Sequence, residues 1–461
     1  MHFETLEFPK PSHVFDSGQT DTKVIMGNEI DVEVMSIEAR TIRKLRIRII
    51  PFVFLLFVVA VLDRNNIGFA ALTMNKELAI TSQQFGLIFG IFFFGYFLFE
   101  IPSNLLLHKI GARVWIARIL ISWGIVAMLT GFVHTVHQLY IVRFLLGLAE
   151  AGYFPGIALY LTYWFPQREQ ARALALLLAA NPVTTILGAP ISGFILDDVH
   201  WFGVSSWRWL LILEGTPAIV GGVLAYFQLP SRPQEAKFLS ADEKEWIRAE
   251  LGREEQQKLE RRRYSALQAL ASGRVWHLVS IYFGMMIGHY TLQSWLPQLV
   301  KSLSRLYSNS MVGLLVTIPN LVGLAAMIFV SRSSDRTLER RYHVAIPAVA
   351  AGTALALLGT TRSPFFSLAL LCLLAVGVYS SFGPFWTLPS EFLTGFSAAA
   401  GIALINSVGN LGGFVGPYII GAIAMRTGNL HAGLALAGVP LFLSATLVLL
   451  LPRKARAPAK G

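Results

Sequence analysis

Twelve apolar stretches, each long enough to cross a bilayer as a helix, constrain this chain more than any other feature. A helix needs roughly 20 consecutive apolar residues to span the hydrocarbon core. The stretches begin near Ile47, Gln84, Val114, Gln138, Arg172 and Trp207, then near Val275, Asn309, Tyr342, Pro364, Ser397 and His431. One polar segment, residues 231–274, separates the sixth from the seventh. The chain therefore reads as an all-α membrane protein with twelve transmembrane helices in two six-helix bundles. The expected division is a cytoplasmic tail over 1–46, a first bundle over 47–230, a linker over 231–274, a second bundle over 275–452 and a tail over 453–461.

With 54% hydrophobic and 14% charged residues, the body of the chain is not disordered. The first 46 residues are the exception: they lack an apolar core, scatter their acids and are expected to be disordered, with Met35 as an alternative start. The net charge of +11 is a topology signal rather than a nucleic-acid footprint. Lys109, Arg113, Arg168, Arg172, Arg332 and Arg336 fall in connections on one side, whereas residues 197–206, on the other, contain no Lys or Arg. By the positive-inside rule both termini and the linker are expected in the cytoplasm of a plasma membrane. A single cysteine, Cys372, excludes a disulfide framework or a Cys-based metal site. There is no phosphate-binding glycine loop and no HExxH, so neither a primary pump nor a soluble-type enzyme is indicated, and no cofactor or metal is expected.

Ser240 followed by Glu243 resembles a capping box, so the linker is expected to hold a solvated surface helix. Glycines such as Gly147, Gly152 and Gly156, or Gly409, Gly412 and Gly416, permit close helix packing, and prolines such as Pro155, Pro190 and Pro417 permit bends.

Ionisable residues inside apolar runs are costly, so each is a candidate site residue. Asp63 and Arg64 fall mid-way along helix one, Arg143 and Glu150 in helix four, and Glu100 in helix two. The second half offers Gln293, Asn320, Asn406, Asn410, His289 and His343 instead. Two readings stand. Arginines that bind an anion beside acids that carry protons would make a proton-coupled anion carrier. Alternatively, Asp63–Arg64 and Arg143–Glu150 are neutralising pairs that fix helix packing.

The loop SRSSDRTLERR, with Asp335, Arg336, Arg340 and Arg341, resembles a loop signature of the major facilitator superfamily. The segment SNLLLHKIGARVW is a degenerate copy that keeps Gly111 and Arg113 and has His108 where the signature has Asp. Together LDRNNIGFA, GYFLFEIPSNLLL, RFLLGLAEAGYFPG and INSVGNLGGFVGPYIIG resemble the anion:cation symporter family, which includes permeases for sugar acids, tartrate and aromatic carboxylates. The resemblance spans about residues 40–452. It implies proton coupling through Asp63 and Glu150, and substrate binding by Arg64, Arg143, Tyr96, Asn181 and Asn406 or Asn410. It also implies gating loops at Gly111 and Arg113 and at Asp335, Arg336, Arg340 and Arg341. Val61 stands where some sugar-acid carriers have Tyr.

The expected function is proton-coupled uptake of a small organic carboxylate by alternating access, by a monomer in the bacterial inner membrane whose partners are the substrate anion, protons and lipid, not nucleic acid. Two alternatives remain open: a proton-antiport exporter of a drug or metabolite, and a transporter-like receptor for a carboxylate.

Overall fold

The computed structural model describes residues 36–260, 271–361, 363–389 and 395–452. The Met35 start, residues 1–35 and 453–461 of the expected tails, and the side chains of His108 and Arg172 lie outside the described residues. Among the described residues all regular structure is helical.

The first six membrane helices are Ile50–Glu77, Ser82–Ile110, Ala112–Thr130, Val136–Glu150 continued by Tyr153–Thr162, Gln167–Leu178 continued by Ala180–Asp198, and Ser206–Gln228. The second six are Gly273–Leu303, Asn309–Thr337, Arg341–Leu357, Pro364–Thr387, Gly395–Asn410 continued by Gly412–Thr427, and Leu430–Leu450. Twelve helices in two sets of six match the expected plan. Ten are long and apolar enough to cross a membrane on composition alone. The seventh, Gly273–Leu303, is diluted by His277, His289, Gln293 and several hydroxyls, and the ninth, Arg341–Leu357, has only 17 residues. The fourth helix breaks at Gly152, whose φ of +82° suits glycine and where a Cβ would meet Ser103 Oγ at 2.4 Å. Glu150 thus ends a helical segment, and its carboxylate projects from a break rather than from a continuous wall.

The end of the molecule that bears the linker and the twelfth-helix C-terminus is the near end; the other is the far end. At the far end the two halves meet along two seams. Helix two lies on helix eleven so closely that a Cβ on Gly86 would sit 2.3 Å from the Pro417 carbonyl oxygen. Helix five lies on helix eight with a Cβ on Gly193 only 2.5 Å from the Asn309 carbonyl oxygen. Beside that seam, Asp197 of helix five accepts hydrogen bonds from the backbone N–H groups of Asn309 and Ser310, at 3.1 and 2.7 Å, in the first turn of helix eight. A side chain on Gly86 cannot coexist with this closure. Gly86→Val is therefore expected to hold the far end apart. In a Cys372→Ser background, spin labels at Phe202 and Leu306, 92% and 94% exposed on the two halves, should show a longer mean separation. An unchanged distance would show that the seam is not what limits opening.

At the near end the helix Ile37–Arg48 starts inside the segment expected to be a tail. It packs against the linker helix Ala241–Glu260. Arg40 and Lys44 donate to Glu243 at 2.8 and 2.9 Å, and Arg40 reaches Asp242 at 2.5 Å. The linker is not uniformly solvated: Glu243 and Ile247 are fully buried. Only one arm of the capping box forms, from the Ser240 N–H to Glu243 at 2.9 Å; the Ser240 hydroxyl turns to Asp242 instead. Burial pushes the Glu243 carboxyl up, but hydrogen bonds from Lys44, Ser240 and Arg40 outweigh it and hold the group below the usual carboxylate range.

Candidate functional site

Helix one places four polar residues in succession at its middle, and at 100° per residue they must point four ways. Asp63 is buried and accepts from Trp123 Nε1 of helix three and from Asn66 Nδ2, the latter at 2.8 Å. Arg64 reaches helix four and forms an ion pair with Glu150. Asn65 faces the seventh helix in the second half, and Asn66 turns back to Asp63. The ion pair thus runs between helices, from Arg64 to Glu150, and not within either helix as the pairing of sequence neighbours suggested.

Arg143 is 1% exposed. Its Nε donates to the Ile88 carbonyl of helix two at 3.3 Å, and its Nη2 has no partner. The guanidiniums of Arg64 and Arg143 lie over the same Phe92 ring, at 5.4 and 5.2 Å from its centroid. Tyr96, one turn along, has its ring 5.7 Å from the Arg64 guanidinium. A π face accepts a cation without neutralising it, so both arginines keep anion-binding capacity. Arg64 Nε and Glu150 Oε2 are also unpaired. A half-buried and a buried cation with open N–H groups, beside two buried acids, form a place where an incoming carboxylate can compete with Glu150 for a guanidinium.

The remaining expected residues separate into distinct places. Asn406 and Ser407 of helix eleven donate to Glu100 of helix two, at 3.0 and 2.5 Å, and so join the halves. Asn410 accepts from the Tyr290 hydroxyl at 3.0 Å, and the Tyr290 ring lies 4.1 Å from Phe93 of helix two, beside Phe92. Asn181 donates to Leu178 at the break in helix five, within its own helix. The loop residues lie at the near end. Asp335 pairs with Arg340 at 2.6 Å, Arg341 donates to the Val448 carbonyl, and Arg336 is exposed. Gly111 adopts φ +96° between helices two and three, and Arg113 lies over the Tyr226 ring.

Sequence reasoning missed Glu214, which lies buried in helix six and accepts from Ser192 of helix five at 2.6 Å. The signal was present: an acid inside the run LLILEGTPAIV. It also missed Tyr290, because a tyrosine in an apolar run carries no charge signal. Arg208 is structural, donating to the carbonyls of Gly131 and Val133 at 3.0 and 2.6 Å beside Glu77.

The family model of the Major Facilitator Superfamily matches residues 53–417. An Agrobacterium vitis protein named "Putative tartrate transporter" is 46% identical over 91% of this chain and 96% of its own. A protein of Acinetobacter baumannii named "Quinolone resistance transporter" is 39% identical over 87% of this chain and 92% of its own. Among solved structures, a bacterial homologue of the human lysosomal transporter Spinster, inward-facing and occupied, superposes with a TM-score of 0.71 at 15% identity, over 88% of this chain and 96% of that one.

Proposed function

The chain belongs to the Major Facilitator Superfamily and is a membrane transporter, and on that premise we propose that it carries a small organic carboxylate into the cell together with protons. The observation that carries the reading is the pair of arginines around Phe92, each with an N–H that no protein group uses. The tartrate description of the Agrobacterium relative supports the same substrate class.

The mechanism follows from competition. With the site empty, Glu150 neutralises Arg64. A substrate carboxylate that engages Arg64 and Arg143 displaces that contact, and the buried Glu150 is then stabilised by taking a proton. Asp63, held by two neutral donors, is the second proton carrier. Asn410 with Tyr290, and Asn406 with Glu100, bring helix eleven to the site from the other half. The halves then rock about this midpoint, with the near-end pair Asp335–Arg340 and the Gly111 turn shaping the loops that move. The membrane is the bacterial inner membrane, with both termini and the linker in the cytoplasm, and the monomer is the working unit. A membrane potential is worth about 2.3 kcal/mol per charge per 100 mV, which favours inward symport carrying excess protons.

One observation favours a second reading. The Acinetobacter relative is named for quinolone resistance, which export of the drug would confer. Reconstituted vesicles with an imposed pH gradient separate the two. Under symport, a labelled carboxylate accumulates on the side toward which protons flow. Accumulation on the opposite side would replace symport with antiport.

A further inference from the structure

On the far side of Arg64 a cavity lies between the halves, lined on its polar side by Asn65 and Thr185 of the first half and Gln293, Asn320 and Tyr379 of the second. Asn65 and Gln293 are 9% and 8% exposed. All four of their amide atoms, Asn65 Oδ1 and Nδ2 with Gln293 Oε1 and Nε2, have no hydrogen-bond partner. Buried amides are nearly always paired, and two wholly unpaired ones facing one cavity from opposite halves are a site awaiting a polar guest. The wall behind them is satisfied and rigid: the Tyr379 hydroxyl donates to Asn320 Oδ1 at 2.8 Å, and Asn320 Nδ2 donates to the Val316 carbonyl at 2.9 Å. None of the five polar side chains carries a charge.

The cavity is lined by the neighbour of Arg64 on helix one. Asn65 is the next residue after Arg64, and Gln293 is three residues, about one turn or 5 Å, beyond Tyr290 on helix seven. A carboxylate on Arg64 would therefore leave the rest of a small molecule within reach of this cavity. Each amide offers both donors and an acceptor, and an alcohol, itself donor and acceptor, can use both kinds, whereas a carboxylate can use only the donors.

We infer that this cavity is a hydroxyl subsite, and that Asn65 and Gln293 make the carrier select hydroxycarboxylates over carboxylates of the same charge that lack the hydroxyl. The inference rests on the carboxylate reading above and specifies it. A site built to hydrogen-bond a hydroxyl rejects the analogue without one, because its buried polar groups are then left unpaired. The subsite also contains both halves, so a bound hydroxyl bridges them as the arginines, all in the first half, cannot.

The test is a titration of the purified full-length protein with two acid pairs of equal charge: tartrate with succinate, and gluconate with hexanoate. The wild type should bind the hydroxylated member of at least one pair more than about tenfold tighter. Gln293→Leu, and separately Asn65→Leu, should reduce that ratio below about threefold while affinity for the unhydroxylated acid stays within about threefold, because Arg64 and Arg143 are intact. Thr185→Val, a milder change at the same wall, should lower the ratio in the same direction. A wild type without hydroxyl preference, or a preference that survives all three variants, overturns the subsite and leaves the carboxylate reading standing. A wild type that binds none of the four acids overturns both, and is distinguished by absent binding rather than by an altered ratio.

Discussion

Arg143→Ala should nearly abolish carboxylate binding. The guanidinium is buried, held in place by the Ile88 carbonyl and the Phe92 ring, and presents an Nη2 group with nothing to bind. It is organised before substrate arrives, so little entropy remains to be lost on binding. Truncating one partner of a buried charged hydrogen bond costs about 2–5 kcal/mol, so the dissociation constant should rise on the order of a hundredfold or more. Arg143→Lys should recover only part of this, because an ammonium is a point charge and cannot hold Ile88 and a carboxylate in one plane. Isothermal titration of the purified variants reads both. Full affinity in the lysine variant would show that charge suffices and that guanidinium geometry is irrelevant.

Glu150→Gln should uncouple transport from protons without removing the substrate. The amide keeps the shape of a protonated acid but cannot release a proton. It also leaves Arg64 without its ion-pair partner, and an uncompensated buried charge is destabilising by about 3–5 kcal/mol. A substrate anion repairs that loss, so affinity should be equal to or tighter than wild type and the free protein less stable. Counterflow of labelled against unlabelled substrate should persist, while accumulation driven by a pH gradient should vanish. Asp63→Asn tests the other acid. It disturbs no ion pair, because Asp63 is held by Trp123 and Asn66, so its effect on stability should be the smaller of the two. If both variants keep full pH-driven accumulation, neither acid carries the coupling.

The twelve helices were legible because a hydropathy pattern needs no knowledge of tertiary contacts. Even the polar seventh helix and the 17-residue ninth stood out between their connections. The breaks were not legible. A glycine at position 152 looks the same whether it packs against a neighbour or turns the chain, and only the approach of Ser103 with the positive φ decides. The candidate charges were also readable one by one, since each interrupts an apolar run. Their pairing was not, because adjacency along a helix says nothing about which neighbour across the bundle a side chain meets; Arg64 chose Glu150 over Asp63. Glu214 was readable by the same rule and was passed over. Gln293 was readable as a polar residue in an apolar run, but that its amide and that of Asn65 stay unpaired was not, since an amide in a membrane helix is usually satisfied by another helix and only the tertiary arrangement reveals that these are not.

The cap on helix eight has a thermodynamic corollary. Two of its first-turn N–H groups are satisfied by Asp197, a residue of the opposite half. Ser308, within the same half, satisfies only the next N–H, that of Met311. Any rearrangement that parts helices five and eight takes the carboxylate away, and loss of a capping side chain is worth about 0.5–2 kcal/mol. The empty protein therefore carries a built-in bias toward the state closed at the far end. It behaves as a spring-loaded door whose spring is a helix terminus, and the ligand and the ion gradient must work against it in every cycle.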